Sequence, residues 1–171
     1  MKELYLAGGS YYDMQEVFSR VAGVEDTVAG FAEGDAAFGD AVECVKITYN
    51  PKQTDLTTLM KVFFEVVDPY TSAEPRYRTG IYYVSNEDLP QLEYFYRFMQ
   101  LRGAEPSAAL GNLIVNDTVT PKREQRQLMT QLARLQLFRA APQEEQYYLR
   151  QHPDFDSNID FAALVKAGLI K

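Results

Sequence analysis

The order of its elements places this chain in the α+β class. The expected architecture is a ferredoxin-like α/β sandwich, two βαβ-like halves about a mixed sheet, followed by a C-terminal helical extension. Three observations predict it. Apolar residues recur at helical spacing in some segments and alternate in others. The elements run strand, helix, strand, strand, helix, strand, with a further helix afterwards. The length, 171 residues, supports one hydrophobic core and is short for two, so residues 1–171 are expected to form a single domain.

Leu4-Tyr5-Leu6-Ala7 reads as a strand that Gly8-Gly9 turns sharply. Ser10 is a good helix N-cap, and Met14, Val17, Phe18 and Val21 follow at helical spacing until Gly23 ends the helix. Thr27 to Phe31 and Val42 to Tyr49 are β-rich, the second alternating Val45, Ile47 and Tyr49 against Cys44, Lys46 and Thr48. Asn50-Pro51 closes that strand. Asp55 or Thr54 caps a second helix, whose stripe is Leu56, Leu59, Met60, Phe63 and Val67, and Asp68-Pro69 stops it. Gly80 to Val84 is a short strand; Asp88 caps a third helix with Pro90 in its first turn and Leu92, Phe95 and Met99 on one side. Leu113 to Val115 suggests a strand, Glu124 to Leu137 has helical composition, and Glu144 to Gln151 is expected to be helical. No internal repeat or low-complexity tract is visible.

Composition is that of a globular protein, 46% hydrophobic and 24% charged. A formal net charge of −7 argues against a nucleic-acid partner, which requires a basic face. No apolar run is long enough for a membrane span, and Gly8-Gly9 interrupts the N-terminal region too early for a signal peptide, so a cytoplasmic protein without a membrane partner is expected. A single cysteine, Cys44, excludes an internal disulfide, and with His152 the only histidine no metal site is expected.

Several segments then fall into a known order. Ala7-Gly8-Gly9-Ser10-Tyr11-Tyr12 is similar to an Ala-Gly-Gly-Cys-Phe-Trp signature. Val21-Ala22-Gly23-Val24 with Ala29-Gly30-Phe31-Ala32-Glu33-Gly34, the strand from Val42 to Pro51, and Phe63-Phe64-Glu65 with Asp68-Pro69 follow it. Tyr77-Arg78-Thr79-Gly80-Ile81-Tyr82-Tyr83 parallels a Gln-Tyr-Arg-Ser-Ala-Ile-Phe-Tyr stretch, and Gln146-Tyr147-Tyr148-Leu149 precedes His152-Pro153. Together these resemble the peptide methionine sulfoxide reductases of the A type, from about residue 4 to about residue 160 except for Gly103 to Arg134. The resemblance implies that family's fold and, as partner, methionine sulfoxide or a peptide containing it. It implies no cofactor, with thioredoxin as reductant only in an active enzyme. Family members attack the sulfoxide sulfur with a cysteine thiolate, which becomes a sulfenic acid. A Glu serves as general acid, two Tyr hydroxyls and an Asp assist, and a Phe-Trp pair holds the substrate methyl.

Carried over residue by residue, the resemblance puts Ser10 at the nucleophile position. A helix N-terminus lowers a thiol's pKa but does not make a serine into a redox nucleophile, so the structural reading of Ser10 is an N-cap. Tyr11 and Tyr12 take the places of the methyl-holding pair. Glu43 matches the acid and, if buried among Val and Ile, would be expected to have a raised pKa. Phe31 replaces one of the two tyrosines and is assigned with Tyr11 and Tyr12 to substrate binding, while Tyr77 matches the other. Ser72 falls at the Asp position with Glu74 the nearest carboxylate, and Ala41 stands where a His is expected. Cys44, one residue from Glu43 on a strand, should face the opposite way and be structural. In Asp156-Ser157-Asn158-Ile159-Asp160, Ser157 takes the place of a resolving cysteine.

Three functions follow. The first is a divergent member that has lost thiol redox chemistry and keeps a pocket for a methyl sulfoxide. The second is a working reductase whose Ser10 was introduced by engineering, against which the accompanying changes at Tyr12, Phe31, Ala41, Ser72 and Ser157 weigh. The third is a serine hydrolase using Ser10 and Glu43, for which no base is evident.

Overall fold

A computed structural model describes residues 1–35, 41–104 and 126–171. The described residues form strands β1 (Lys2–Ala7), β2 (Val24–Gly34), β3 (Val42–Tyr49), β4 (Gly80–Tyr83) and β5 (Gln131–Ala140). The helices are α1 (Tyr11–Ser19), α2 (Leu56–Val66), α3 (Leu89–Ala104), α4 (Tyr148–Gln151) and α5 (Phe161–Lys166), with single 3-10 turns at Pro75–Tyr77 and Gln143–Glu145. The mixed α+β architecture agrees with the class expected from the sequence. The sheet goes further and closes on itself in the order β1-β3-β2-β5-β4. Only the β4–β5 pair is parallel; β1 pairs antiparallel with both β3 and β4.

The alternation in the strands decides the two sides of this sheet. Leu4 and Leu6 of β1, Val45 and Ile47 of β3 and Ile81 of β4 face outward into the main core, with Met14, Val17 and Phe18 of α1 and Leu59, Met60 and Phe63 of α2. Their neighbours point inward: Tyr5, Ala7, Val42, Cys44, Tyr82 and Ala133 fill the barrel. A five-stranded barrel has a narrow bore, which is why its lining is small residues around two tyrosine rings. Burying a core aromatic such as Phe63, fully enclosed, is worth about 3–5 kcal/mol against alanine.

The caps act much as the sequence indicates. Ser10 Oγ accepts the Tyr12 N–H at 3.1 Å and Asp55 Oδ1 accepts the Thr58 N–H at 2.8 Å. Gly23, at φ 91°, turns the chain from α1 into β2, and a side chain there would press on Thr54 at 2.8 Å. Asp88 differs from expectation: its carboxylate pairs with Lys2, and only its carbonyl joins α3, accepting the Leu92 N–H.

Three expected elements need correction or fall outside the described residues. The helical reading of Glu124 to Leu137 is overturned over its described part, residues 126–137, since β5 begins at Gln131. Gln, Leu and Arg favour helix in isolation, but here the strand pairs with β2 on one side and β4 on the other, and the backbone hydrogen bonds of both edges outweigh propensity. Glu144 to Gln151 is not one helix, because Tyr147 adopts φ 49° between a 3-10 turn and the short α4. The expected strand at Leu113 to Val115 lies outside the described residues. Among the described residues, no helix is long and apolar enough to cross a membrane.

Candidate functional site

The site forms where the start of α1 meets the outer face of β2 and β3. Gly9, at φ 76°, bends the chain between β1 and α1, and its N–H donates to the carbonyl of Tyr77 at 3.3 Å. That bond ties the 3-10 turn Pro75–Tyr77 to the helix start. On the sheet, Phe31 of β2 stands opposite Glu43 of β3 and, on its other side, opposite Arg139 of β5. A carboxylate, an aromatic ring and a guanidinium therefore lie in one row beneath Tyr11.

Glu43 is 3% exposed, and both of its oxygens are engaged. Oε1 accepts the Tyr11 backbone N–H at 3.1 Å; Oε2 accepts Nε–H of Arg76 in a salt bridge. The charge of the buried Glu43 carboxylate is compensated by Arg76. The bond from Arg76 to Glu43 raises the guanidinium's pKa further. Arg76 lies 5.7 Å from the ring centres of both Phe31 and Tyr77, and Arg139 lies 5.5 Å from Phe31.

The aromatic residues form a continuous cluster. Tyr11 is buried and meets Phe31 edge-on at 5.6 Å and Tyr12 at 5.3 Å. Tyr12 turns toward the C-terminal segment, stacking on Tyr148 at 4.0 Å and donating its hydroxyl to Glu145. Burial, reinforced by Glu145, pushes the Tyr12 hydroxyl up, and burial raises Tyr11 as well. Tyr77 is 36% exposed at the rim.

The structure thus brings Ser10, Tyr11, Phe31, Glu43 and Tyr77 together, with Tyr12 linking them to the C-terminal segment. Ser72 and Glu74 lie exposed in the loop before Tyr77, and the Asp68 carboxylate is used by its own turn, accepting from Tyr70 N–H and Thr71 Oγ. Cys44 is fully buried in the barrel, where burial raises its thiol pKa. Ser157 donates to Asp13 of α1. Among the described residues no base contacts Ser10. His152 stacks on Tyr148 at 3.9 Å, and its Nδ1 meets that residue's carbonyl at 3.1 Å. The described residues contain no group of three or more His, Cys, Asp and Glu able to hold a metal. A separate cleft of about 620 Å³ between α2 and α3 contains none of these site residues.

Sequence reasoning did not single out Arg76, Arg139 or Glu145. Arg76 had a signal: a glutamate inside a Val- and Ile-rich strand requires a cation, and an arginine directly precedes Tyr77. Arg139 became visible only once β5 was seen to be a strand beside β2.

A chain of this fold has known counterparts. The family model for peptide methionine sulfoxide reductase matches residues 2–168, and the chain belongs to that family. A relative, the peptide methionine sulfoxide reductase MsrA of Ureaplasma parvum serovar 3, is 24% identical, with 95% of each chain covered. The fold is similar to that of Mxr1 from Saccharomyces cerevisiae in its reduced form, with a TM-score of 0.66 at 22% identity over 91% of this chain and 88% of that one. It is also similar to Mxr1 in complex with Trx2, with a TM-score of 0.54 at 24% identity, covering 86% of this chain and 84% of that one.

Proposed function

We propose that this chain is a divergent family member that has lost thiol redox chemistry and keeps a site for a methyl sulfoxide. One observation carries the reading: an oxygen, Ser10 Oγ, stands at the head of α1 within a setting of Tyr11, Phe31, Glu43 and Tyr77, while the only thiol is enclosed in the barrel. A cysteine at a helix N-terminus is activated as thiolate. A serine hydroxyl is not, and oxygen cannot stand in for sulfur in the sulfenic acid that takes the substrate's oxygen. With Ser157 also an oxygen and Cys44 alone, no disulfide can form within the chain, so a thioredoxin would have nothing there to reduce. What remains can bind: the half-buried Phe31 offers an aromatic face to a methyl group, and the exposed Arg76 beside Glu43 offers donors to an oxygen.

The test is turnover. The protein and its Ser10→Cys variant are incubated with N-acetylmethionine (S)-sulfoxide and dithiothreitol, and the thioether product is counted. The native chain is expected to give none above the reagent blank, and the variant to form product. Multiple turnovers by the native chain would overturn the reading.

A further inference from the structure

We infer that Arg76 supplies the hydrogen bond to the oxygen of a bound sulfoxide, with Glu43 holding Arg76 in place. The inference rests on the reading of the site as a methyl sulfoxide pocket and names the group that recognises the ligand there. A sulfoxide oxygen is the negative end of a strong S–O dipole and carries no proton, so it must be met by a donor. A carboxylate offers only acceptors. Both oxygens of Glu43 already receive donors, one from Tyr11 N–H and one from Arg76 Nε–H, so Glu43 serves here as an acceptor.

Arg76 has what Glu43 lacks. Its guanidinium carries five N–H bonds, of which the Nε–H is committed to Glu43. Its Nη groups have no hydrogen-bond partner among the described residues, and the side chain is 56% exposed, so a ligand can reach it without rearranging the core. The guanidinium carbon lies 5.7 Å from the rings of Phe31 and Tyr77. A ligand oxygen on Nη would therefore bring its methyl group to aromatic surface. The charged and titratable groups that face Arg76 are Glu43 on β3, Tyr11 on α1 and Tyr77 in its own turn, with Arg139 of β5 across Phe31. An arginine donor stays protonated throughout the ordinary pH range, whereas a carboxylic acid donor would lose its proton within it. The two assignments thus differ in pH dependence.

The test titrates the full chain with N-acetylmethionine (S)-sulfoxide N-methylamide, uncharged at every pH used, and with its thioether, at pH 5.5, 7.0 and 8.5. Affinity for the sulfoxide is expected to stay within about twofold across that range, as a permanently charged donor requires. Arg76→Met should weaken sulfoxide binding by about tenfold or more and abolish the preference over the thioether, since a charge-assisted hydrogen bond is lost. Arg76→Lys, which keeps the charge without the planar fork, should retain part of the preference. Thermal melts establish that both variants fold. Unchanged affinity in Arg76→Met, or native affinity that falls about tenfold from pH 5.5 to 8.5 as an acid donor would, overturns this inference and leaves the pocket reading intact. Absence of any saturable sulfoxide binding by the native chain overturns the pocket reading and this inference with it.

Discussion

Ser10 is the N-cap of α1. Its hydroxyl satisfies a first-turn N–H of α1, so Ser10→Ala should cost about 1 kcal/mol in urea unfolding, as the loss of an N-cap does. A cost near zero would show that the cap is not needed. Cys44 is the complementary case: a thiol is present, but it is 0% exposed and its pKa is raised by burial. A thiol reagent at pH 8 should leave the folded protein unlabelled and modify one cysteine after denaturation, counted by mass spectrometry. The head of α1 thus carries an oxygen while the thiol is sealed away. Ser10, Tyr11, Phe31, Glu43 and Tyr77 could all be named from the sequence, because the segments carrying them follow a recognisable order. The partner of Glu43 was harder to see, since a salt bridge between residues 33 apart depends on how the loop before Tyr77 folds back.

At the scale of elements, one side chain fastens the C-terminal segment to the site. Gln146 Oε1 accepts the Ala29 N–H at 2.9 Å and Gln15 Nε2–H at 3.0 Å, while its Nε2 donates to the carbonyls of Ala29 and Ala141. In effect the amide extends the pairing of β2. Gln146→Ala removes the partner of the Ala29 N–H and of the Ala141 carbonyl, whereas the Ala29 carbonyl keeps the Ala141 N–H and Gln15 Nε2 keeps the Thr27 carbonyl. The loss should cost about 2–4 kcal/mol, on a penalty of about 1–3 kcal/mol for each of the two unsatisfied groups reduced by water access. Urea unfolding measures the cost, and increased proteolysis after Gln146 would locate it. Most elements were legible because each answers to a local rule: alternation in β3, an apolar stripe in α2, a capping serine in α1. β5 was not legible. Its Gln, Leu and Arg content signals helix, and the two strands that flank it are distant in sequence, so only the folded sheet determines its conformation.

For the whole molecule, the fold buries rings whose ionisation opposes folding, Tyr5 and Tyr82 in the barrel and Tyr49 in the main core. Burial, the largest cause in each case, raises Tyr5, Tyr49 and Tyr82 to about 12. These groups keep their protons in the folded chain above pH 10, where exposed tyrosines in the unfolded chain lose theirs. Their contribution is therefore fully present below about pH 10 and lost as pH rises toward 12. Denaturant midpoints should fall across that interval, with tyrosinate absorbance at 295 nm from these residues appearing together with unfolding. The same closed sheet holds the row of Glu43, Phe31 and Arg139 beneath the head of α1, so the geometry of the site depends on the fold as a whole. The most direct test follows binding and conversion in one sample: nitrogen-15-labelled native protein, excess blocked methionine (S)-sulfoxide and dithiothreitol, observed by NMR over a day. Saturable shifts centred on Tyr11, Phe31, Glu43, Arg76 and Tyr77 are expected, with the sulfoxide methyl signal undiminished relative to a protein-free sample. Growth of a thioether methyl signal beyond that control, or ligand-independent spectra at these residues, would contradict a site that recognises without reducing.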